Sequence, residues 1–185
     1  MNYKILITGG AGYIGSVLTP MLLEKGYYVV LVDKLIFGQK PYLDKKNFKF
    51  INGDVRDFIF VKKIIDEYDF DIVIPLAALV GAPICSKYIT EAEQINYQSC
   101  NFLFHNLKKT TKIILPVSNS GYGIAEHNKP CTEDSPLNPI SVYGVTKVKS
   151  ENSLIERGNY ISLRLATIFG MSPRMRLDLL VNNFT

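Results

Sequence analysis

Residues 8–15 read TGGAGYIG and lie between a short apolar run and a segment with helical periodicity. Spaced glycines permit a tight turn and a close backbone approach, and the first turn of a following helix attracts a pyrophosphate group. The spacing G-x-x-G-x-x-G is one residue longer than the common dinucleotide fingerprint. A plain strand-to-helix turn is the alternative interpretation. The residues expected to contact a dinucleotide are Gly9, Gly12, Tyr13, Ile14 and Gly15.

The chain around this turn alternates between apolar, β-branched runs and segments with helical periodicity. We predict strands over residues 3–8, 27–33, 48–52, 71–78, 112–118 and 160–166, and helices over residues 13–25, 57–68, 91–109 and 140–157. This alternation favours a parallel sheet with helices on both faces, and right-handed crossovers make the sheet doubly wound. The predicted fold is α/β, a Rossmann-type domain over residues 1–185.

The composition agrees with a globular domain. The 185 residues are 47% apolar and 21% charged, and the net charge is +4. Lysines gather at Lys40, Lys45, Lys46 and Lys49, without interleaved aromatic residues. We interpret this run as a solvated loop, so nucleic acid is not an expected partner.

The cysteines and the N-terminus bear on the cellular compartment of the protein and give no sign of a metal site. Cys85, Cys100 and Cys131 are widely spaced and show no metal-site spacing, so no metal is expected. The start MNYKILITGG lacks the shape of a signal peptide, and no apolar run approaches membrane-spanning length. We therefore expect a cytoplasmic protein without a membrane partner.

An acidic residue ends the second predicted strand. The Asp33 carboxylate can accept hydrogen bonds from both hydroxyls of an adenosine ribose and would repel a 2′-phosphate. This position favours NAD over NADP as the cofactor. The neighbouring Lys34 is a cation that could soften the exclusion of NADP.

Two further stretches follow predicted strands that border the same groove. In GDV, residues 53–55, the Asp54 carboxylate can accept a hydrogen bond from the adenine amine. In LAA, residues 76–78, small residues let the backbone pass close to the cofactor. Helix capping by Asp57 and simple tight packing of the alanines are the alternatives. The residues assigned to this groove are Asp54, Val55, Leu76, Ala77 and Ala78.

The chain resembles the extended short-chain dehydrogenase/reductases of the nucleotide-sugar epimerase and dehydratase type. The matching elements, in chain order, are TGGAGYIG, Asp33, GDV, LAA, Asn96 within QINYQS, SNSGYG and YGVTK. The resemblance covers essentially the whole chain. It implies NAD as the cofactor and a nucleotide-diphosphate sugar as the substrate. A narrower resemblance is to enzymes that oxidise C4 of a GDP-linked heptose in capsule-sugar synthesis. It is carried by the stretches IPLAALVGAP, NSGYG and RLATIFGMSPRMRLDLLVNNFT.

The stretch SVYGVTK, residues 141–147, places Tyr143 one helical turn before Lys147. A free tyrosine has a pKa near ~10, and bringing it to ~7 requires about 4 kcal/mol of phenolate stabilisation. Lys147 and the oxidised nicotinamide would each contribute a positive charge, and Lys147 would also hold the nicotinamide ribose. By the resemblance, Ser118 orients the reacting hydroxyl. A surface pair and a turn serine are the simpler alternatives.

The two residues after Ser118 separate reaction types within the family. Related dehydratases carry Asp-Glu there, whereas this chain has Asn119 and Ser120, which cannot do that proton work at neutral pH. We therefore disfavour dehydration and assign both residues, with Ser118 and Tyr143, to the substrate side. Many relatives have Asn at the position of Thr167, so that phosphate contact does not transfer directly.

The predicted function is NAD-dependent oxidation at C4 of a nucleotide-diphosphate sugar, by a dehydrogenase or by an epimerase with a 4-keto intermediate. A non-catalytic NAD-binding module is the alternative from another class.

Relatives pair the helices equivalent to residues 91–109 and 140–157 across a dimer, so a homodimer is expected. The apolar residues that would pack in this interface or on the sheet are Ile95, Phe102, Val148 and Leu154. Relatives also continue into a substrate domain, expected here beyond residue 185. Arg174 and Arg176 could contact phosphate or lie in solvent.

Overall fold

The structure is a computed structural model that describes residues 3–37, 45–124 and 129–184. Six parallel strands form one sheet in the order β3-β2-β1-β4-β5-β6. The strands are β1 (Lys4–Thr8), β2 (Tyr28–Asp33), β3 (Phe48–Asn52), β4 (Ile72–Pro75), β5 (Lys112–Ser118) and β6 (Tyr160–Leu165). This is the Rossmann-type α/β fold that the sequence predicts.

Helices lie between the strands. They are α1 (Gly15–Glu24), α2 (Phe58–Glu67), α3 (Ala82–Lys87), α4 (Ile89–Ala92), α5 (Ser99–Asn106), α6 (Val142–Arg157) and α7 (Leu180–Asn183), with a π-helical segment at Glu93–Gln98 and a 3₁₀ turn at Asn119–Tyr122. Among the described residues, no helix is both long and apolar enough to cross a membrane.

Alternation along the central strands builds two apolar layers. On β1, Ile5 and Ile7 belong to one buried cluster, whereas Leu6 belongs to the other, which also contains Phe104 and Leu154. Successive side chains of a strand point to opposite faces, so a strand that is apolar throughout is covered on both faces. This double burial fixes β1 in the middle of the sheet.

The predicted helix over residues 91–109 differs most from the structure. A separate short helix, α3, precedes it, and the continuous helical backbone begins at Ile89, passes through the π-helical segment and ends at Asn106. The chain ends α5 because Leu107 takes an extended conformation and buries its side chain in the core. Periodicity detects neither the π turn nor this early exit.

Other boundaries shift by a few residues. The fourth strand ends at Pro75 rather than at residue 78, because the chain turns away where Leu76 and Ala77 meet Gly9. Helix α6 begins at Val142 rather than at residue 140, since the hydroxyl of Ser141 caps it by accepting a hydrogen bond from the backbone N–H of Gly144 at 3.1 Å. Lys40, part of the predicted solvated run, lies outside the described residues.

The strand ends define where a site can form. All six strands are parallel, so their carboxyl ends meet at one edge, and the chain leaves β1 toward β2 on one side while β4 lies on the other. In open α/β sheets ligands bind outside the carboxyl ends, at such a reversal of strand order. Gly9, Asp33, Asp54, Ala77 and Ser118 all end or directly follow strands at this edge.

Candidate active site

Gly9 lies at the centre of this edge and has a conformation that favours glycine. Its φ is +69°, and an added Cβ atom would lie 2.5 Å from the backbone nitrogen of Ala77. Gly15 is equally constrained, because a Cβ atom there would overlap the backbone of Gly10. The turn therefore packs its own backbone closely and leaves a cradle free of side chains, as a dinucleotide pyrophosphate requires.

The helix that follows the turn is open to an anion at its N-terminus. In the part of the chain that the structure describes, no side chain caps α1 at Ile14. The first N–H groups of a helix lack partners within it and attract phosphate. The predicted residues Gly9, Gly12, Tyr13, Ile14 and Gly15 are thus placed together around this end of α1, and they fit a bound pyrophosphate.

Asp33 connects the glycine turn to the end of β2. Its Oδ2 accepts a hydrogen bond from the backbone N–H of Ala11 at 3.0 Å, and its Oδ1 accepts one from Leu35 at 2.8 Å. Each carboxylate oxygen has a second lone pair that can still accept a hydroxyl hydrogen bond. The carboxylate is therefore fixed in direction beside the cradle, where a ribose acceptor is expected.

Asp54 has partners that the sequence prediction did not foresee. Arg56 donates to both of its carboxylate oxygens, with Nη2–Oδ2 at 2.6 Å, and the Lys34 ammonium lies 2.9 Å from Oδ2. The hydrogen bond from Arg56 holds the pKa of the Asp54 carboxyl far below its usual range. The predicted bond from Asp54 to an adenine amine stays a prediction, and it would share this carboxylate with two cations.

The remaining residues predicted to line the cofactor groove follow β3 and β4. Val55 is buried, whereas Leu76, Ala77 and Ala78 are partly exposed next to Gly9. The alternative for Asp57 also holds, since its carboxylate accepts from the backbone N–H of Phe60 at 3.0 Å and caps α2. Capping by Asp57 and a groove role for residues 54 and 55 are therefore compatible.

The three predicted catalytic residues converge at the end of β5. Ser118 lies near the Tyr143 side chain and acts to lower the pKa of that phenol. Lys147, only 6% exposed, donates its ammonium hydrogen to the carbonyl oxygen of Pro116 at 3.1 Å. The hydroxyl of Ser120 donates to Ser118 Oγ at 2.9 Å, so Ser118 receives support from its own turn. Asn119 is exposed beside them.

Burial dominates the electrostatics of the pair on α6. Desolvation raises the pKa of Tyr143, opposed by the hydrogen bond from Ser118 and by the positive charge of Arg176. Desolvation also lowers the pKa of Lys147. In the protein by itself burial disfavours both charged forms. The predicted fall in the pKa of Tyr143, to which Lys147 and the oxidised nicotinamide would each contribute, stays a prediction.

Asn96 organises the buried surroundings of Lys147. Its Oδ1 accepts from the backbone N–H of Leu79 at 2.8 Å, and its Nδ2 donates to the carbonyl of Leu79 at 2.9 Å and to Thr146 Oγ1 at 3.2 Å. Asn96 is fully buried, so each of these bonds replaces water. It therefore fastens the end of β4 to α6.

Sequence reasoning missed the contacts that residues 170–182 make with the glycine turn. The Tyr13 hydroxyl donates to the Gly170 carbonyl at 2.6 Å and accepts from Asn182 Nδ2 at 3.0 Å, and Ser172 Oγ donates to the Tyr13 carbonyl at 2.8 Å. These partners are separated by more than 150 positions, and no local motif indicates them.

Arg174 and Arg176 belong to the same segment, residues 170–182, that contacts the glycine turn. The Arg174 guanidinium stacks on the ring of Phe37 at 3.7 Å, and Arg176 pairs with Asp178 at 2.5 Å. The charge of Arg176 opposes the rise in the pKa of Tyr143, so its guanidinium faces the side of the groove that carries Tyr143. Thr167 is exposed.

Comparison with known proteins identifies the class that this fold and site define. The model of the NAD dependent epimerase/dehydratase family matches residues 5–185, and the chain belongs to this family. NAD is accordingly the cofactor that the family uses.

The similar proteins include UDP-glucose 4-epimerases. The chain is 34% identical over 176 residues to a UDP-glucose 4-epimerase of Lactobacillus helveticus, covering 91% of this chain and 53% of that protein. Its fold is similar to Bordetella bronchiseptica WbmG solved with NAD and UDP, with a TM-score of 0.82, 27% identity and coverage of 92% of this chain and 55% of that one. It is also similar to a Thermotoga maritima UDP-glucose 4-epimerase solved with UDP-glucose, with a TM-score of 0.78, 28% identity and coverage of 87% and 54%. The chain spans about half the length of the curated relatives it matches.

We expect Gly9→Ala to destabilise the fold more than Gly26→Ala. Both glycines have positive φ, but Gly26 has open space where a Cβ atom would lie, whereas Gly9 meets Ala77. The shared strain costs about 1–2 kcal/mol, and the overlap adds about 1–3 kcal/mol at Gly9 alone. Urea unfolding of both variants and calorimetric titration with NAD measure the difference. Equal destabilisation of both variants would contradict the close approach.

We expect Tyr143 to ionise above the usual pKa of tyrosine, near ~10, in the protein alone, and at lower pH once NAD⁺ is added. Burial favours the neutral phenol, and a bound positive charge favours the phenolate. Because the chain has 11 tyrosines, the measurement is the difference in phenolate absorbance between the wild type and Tyr143→Phe across pH. Ionisation of Tyr143 near pH 7 without NAD⁺ would contradict this assignment.

Proposed function

We propose that this protein binds NAD and oxidises a ring hydroxyl, at C4, of a nucleotide-diphosphate sugar. The observation that carries the proposal is the convergence of Ser118, Tyr143 and Lys147 beside the cradle formed by Gly9 and Gly15. A proton acceptor and a dinucleotide site at one strand edge are the two parts that hydroxyl oxidation requires.

In this mechanism each of the chain's residues has a separate task. Tyr143 takes the proton of the sugar hydroxyl, and the nearby Ser118 orients that hydroxyl and relays the proton. Lys147 holds the nicotinamide ribose and stays fixed by its bond to the Pro116 carbonyl. The oxidised nicotinamide supplies a hydride acceptor and a positive charge. The proposed cofactor site is completed by Gly12, Tyr13, Ile14, Asp33, Asp54, Val55 and residues 76–78.

The 3₁₀ turn after β5 favours oxidation over dehydration. Ser120 is committed to Ser118 through its hydroxyl, and Asn119 carries no ionisable group. Elimination of water needs an acid and a base that these two side chains do not provide. The proposed substrate contacts are therefore Ser118, Asn119, Ser120 and Tyr143.

The nucleotide and the fate of the ketone belong to this proposal as well. The relatives named above act on or were solved with UDP-linked ligands, which favours a UDP-sugar and an epimerase through a 4-keto intermediate. The narrower resemblance to GDP-heptose C4 dehydrogenases of capsule synthesis stays a prediction that these comparisons do not support. Release of the ketone would make the protein a dehydrogenase, with the same three residues.

The second candidate function is a non-catalytic NAD-binding module. The raised pKa of Tyr143 in the protein alone is the observation that favours it, because a phenol that stays neutral is a poor base. Hydride transfer separates the two functions, since a binding module would bind NAD without reducing it.

We expect NAD⁺ reduction, read at 340 nm under single-turnover conditions, with at least one sugar from a panel of UDP-, GDP-, dTDP- and CDP-sugars. Tyr143→Phe should lower the rate by about 10²–10⁴-fold while NAD binding persists, because it deletes the base. The matched control is Tyr3→Phe, the same change at the start of β1, at the opposite end of the sheet. A wild type that binds NAD but reduces it with no sugar would support the binding module instead.

We also propose a homodimer through an outer face formed by α5, α6 and the π-helical segment. Leu154 is fully buried and Phe102 stacks on Phe58 at 4.5 Å, so these two pack within the chain. Val145 and Ile155 expose apolar surface on α6, at 37% and 47%. Light scattering at micromolar concentration should give twice the chain mass of 20.8 kDa, and a mass of 20.8 kDa would exclude the dimer.

A further inference from the structure

Two cations and one acid lie beside the expected ribose position, and we call Lys34, Asp54 and Arg56 the Asp54 cluster. Arg56 holds the carboxylate through its side chain and through its backbone N–H, which lies 3.0 Å from Oδ1. The Lys34 ammonium lies 2.9 Å from Oδ2, the oxygen that also accepts from Arg56 Nη2. The local sequence brings Arg56 to Asp54, whereas Lys34 arrives from a different strand end.

The cluster borders the position that distinguishes NAD from NADP. Lys34 directly follows Asp33, the proposed ribose acceptor, and Asp33 is in register with Asn52 on β3. The backbone N–H of Gly53 donates to the Asp33 carbonyl at 3.1 Å, so the loop that carries Asp54 starts next to Asp33. A 2′-phosphate on the adenosine ribose would therefore approach this cluster.

The charges of this region cancel within the protein. Asp33 and Asp54 contribute two negative charges, and Lys34 and Arg56 contribute two positive charges. Lys and Arg bind phosphate through charge-assisted hydrogen bonds, for which the cation must be free to turn toward the phosphate. Here the Lys34 ammonium is directed to Asp54, although its side chain is 53% exposed and could reach other groups.

We propose that Asp54 is a specificity-determining residue for the cofactor, because its ion pair with Lys34 keeps that ammonium from binding the 2′-phosphate of NADP. Asp33 repels the phosphate, and Asp54 removes the cation that would offset the repulsion. Lys34 then becomes a phosphate-binding residue when Asp54 loses its charge. This inference rests on the NAD site of the proposed function.

The experiment measures dissociation constants for NAD⁺ and NADP⁺ by calorimetric titration of the wild type, Asp54→Asn and the double variant Asp54→Asn/Lys34→Met. Any contact between Asp54 and adenine is common to both dinucleotides, so it cancels in the ratio of the two constants. A new charge-assisted bond to phosphate corresponds to about 10- to 100-fold in affinity. We expect Asp54→Asn to shift the ratio toward NADP⁺ by at least about tenfold on that basis, and the added Lys34→Met to reverse the shift.

A matched control separates this contact from net charge. Lys49→Met, combined with Asp54→Asn, removes a cation of the same kind from an exposed position on β3. This double variant should keep the NADP⁺ affinity of Asp54→Asn. Reversal by Lys49→Met to the same extent as by Lys34→Met would overturn the proposal in favour of a general charge effect.

Two further results would also overturn the proposal. One is an unchanged ratio in Asp54→Asn with NAD⁺ still bound, which refutes the role of Asp54 and leaves the NAD site intact. The other is a wild type that binds neither dinucleotide, which refutes the cofactor site itself. Asp54→Ala, checked with Asp54→Asn by circular dichroism, replaces the asparagine variant if that variant does not fold.

Discussion

The close approach of the chain after β1 to the chain after β4 is the constraint on which the site depends. Leu76 donates its backbone hydrogen to the Thr8 carbonyl at 2.8 Å, and Gly9 donates to the Val32 carbonyl at 2.7 Å. The first bond joins β1 to β4, and the second joins the turn to β2. A side chain at Gly9 would force these strand ends apart, because its Cβ atom would overlap Ala77. The strand order reverses at this point, so the crevice, the start of α1 and the acid at the end of β2 all take their positions from it.

A second layer of constraint holds α6, and it is polar rather than apolar. The buried side of α6 carries Thr146, Lys147 and Ser150, and Ser150 donates to the Asn96 carbonyl at 2.6 Å. Buried polar groups must find partners within the protein, and satisfied networks permit few alternative arrangements. The π-helical segment places Asn96 against α6, where its amide also reaches Thr146. This network fixes the rotation of α6, and that rotation directs Tyr143 and Lys147 toward the end of β5.

The sequence predicts the parts of the molecule that depend on local patterns. Apolar runs place β2 within one residue of its observed start, and the glycine spacing with Asp33 predicts the cradle and its acid. Features that depend on distant partners are not readable. Lys34 reaches Asp54 from another strand, Tyr13 meets Asn182 from 169 positions away, and the π turn around Asn96 has the same apolar periodicity as an α-helix. Burial is equally invisible, and it raises the pKa of Tyr143.

Burial of Tyr143 and Lys147 changes how their spacing is to be understood. Lys147 lies one turn from Tyr143, but its ammonium bonds to the Pro116 carbonyl, and burial shifts both groups toward their neutral forms. Phenolate stabilisation therefore has to come from a charge that enters the groove, with Ser118 and Arg176 contributing from the protein. The oxidised cofactor carries such a charge and its reduced form does not. In the proposed function, proton removal by Tyr143 would therefore be tied to the redox state that can accept a hydride. The same burial that weakens the base in the protein alone would strengthen its attraction to the charge of the oxidised cofactor.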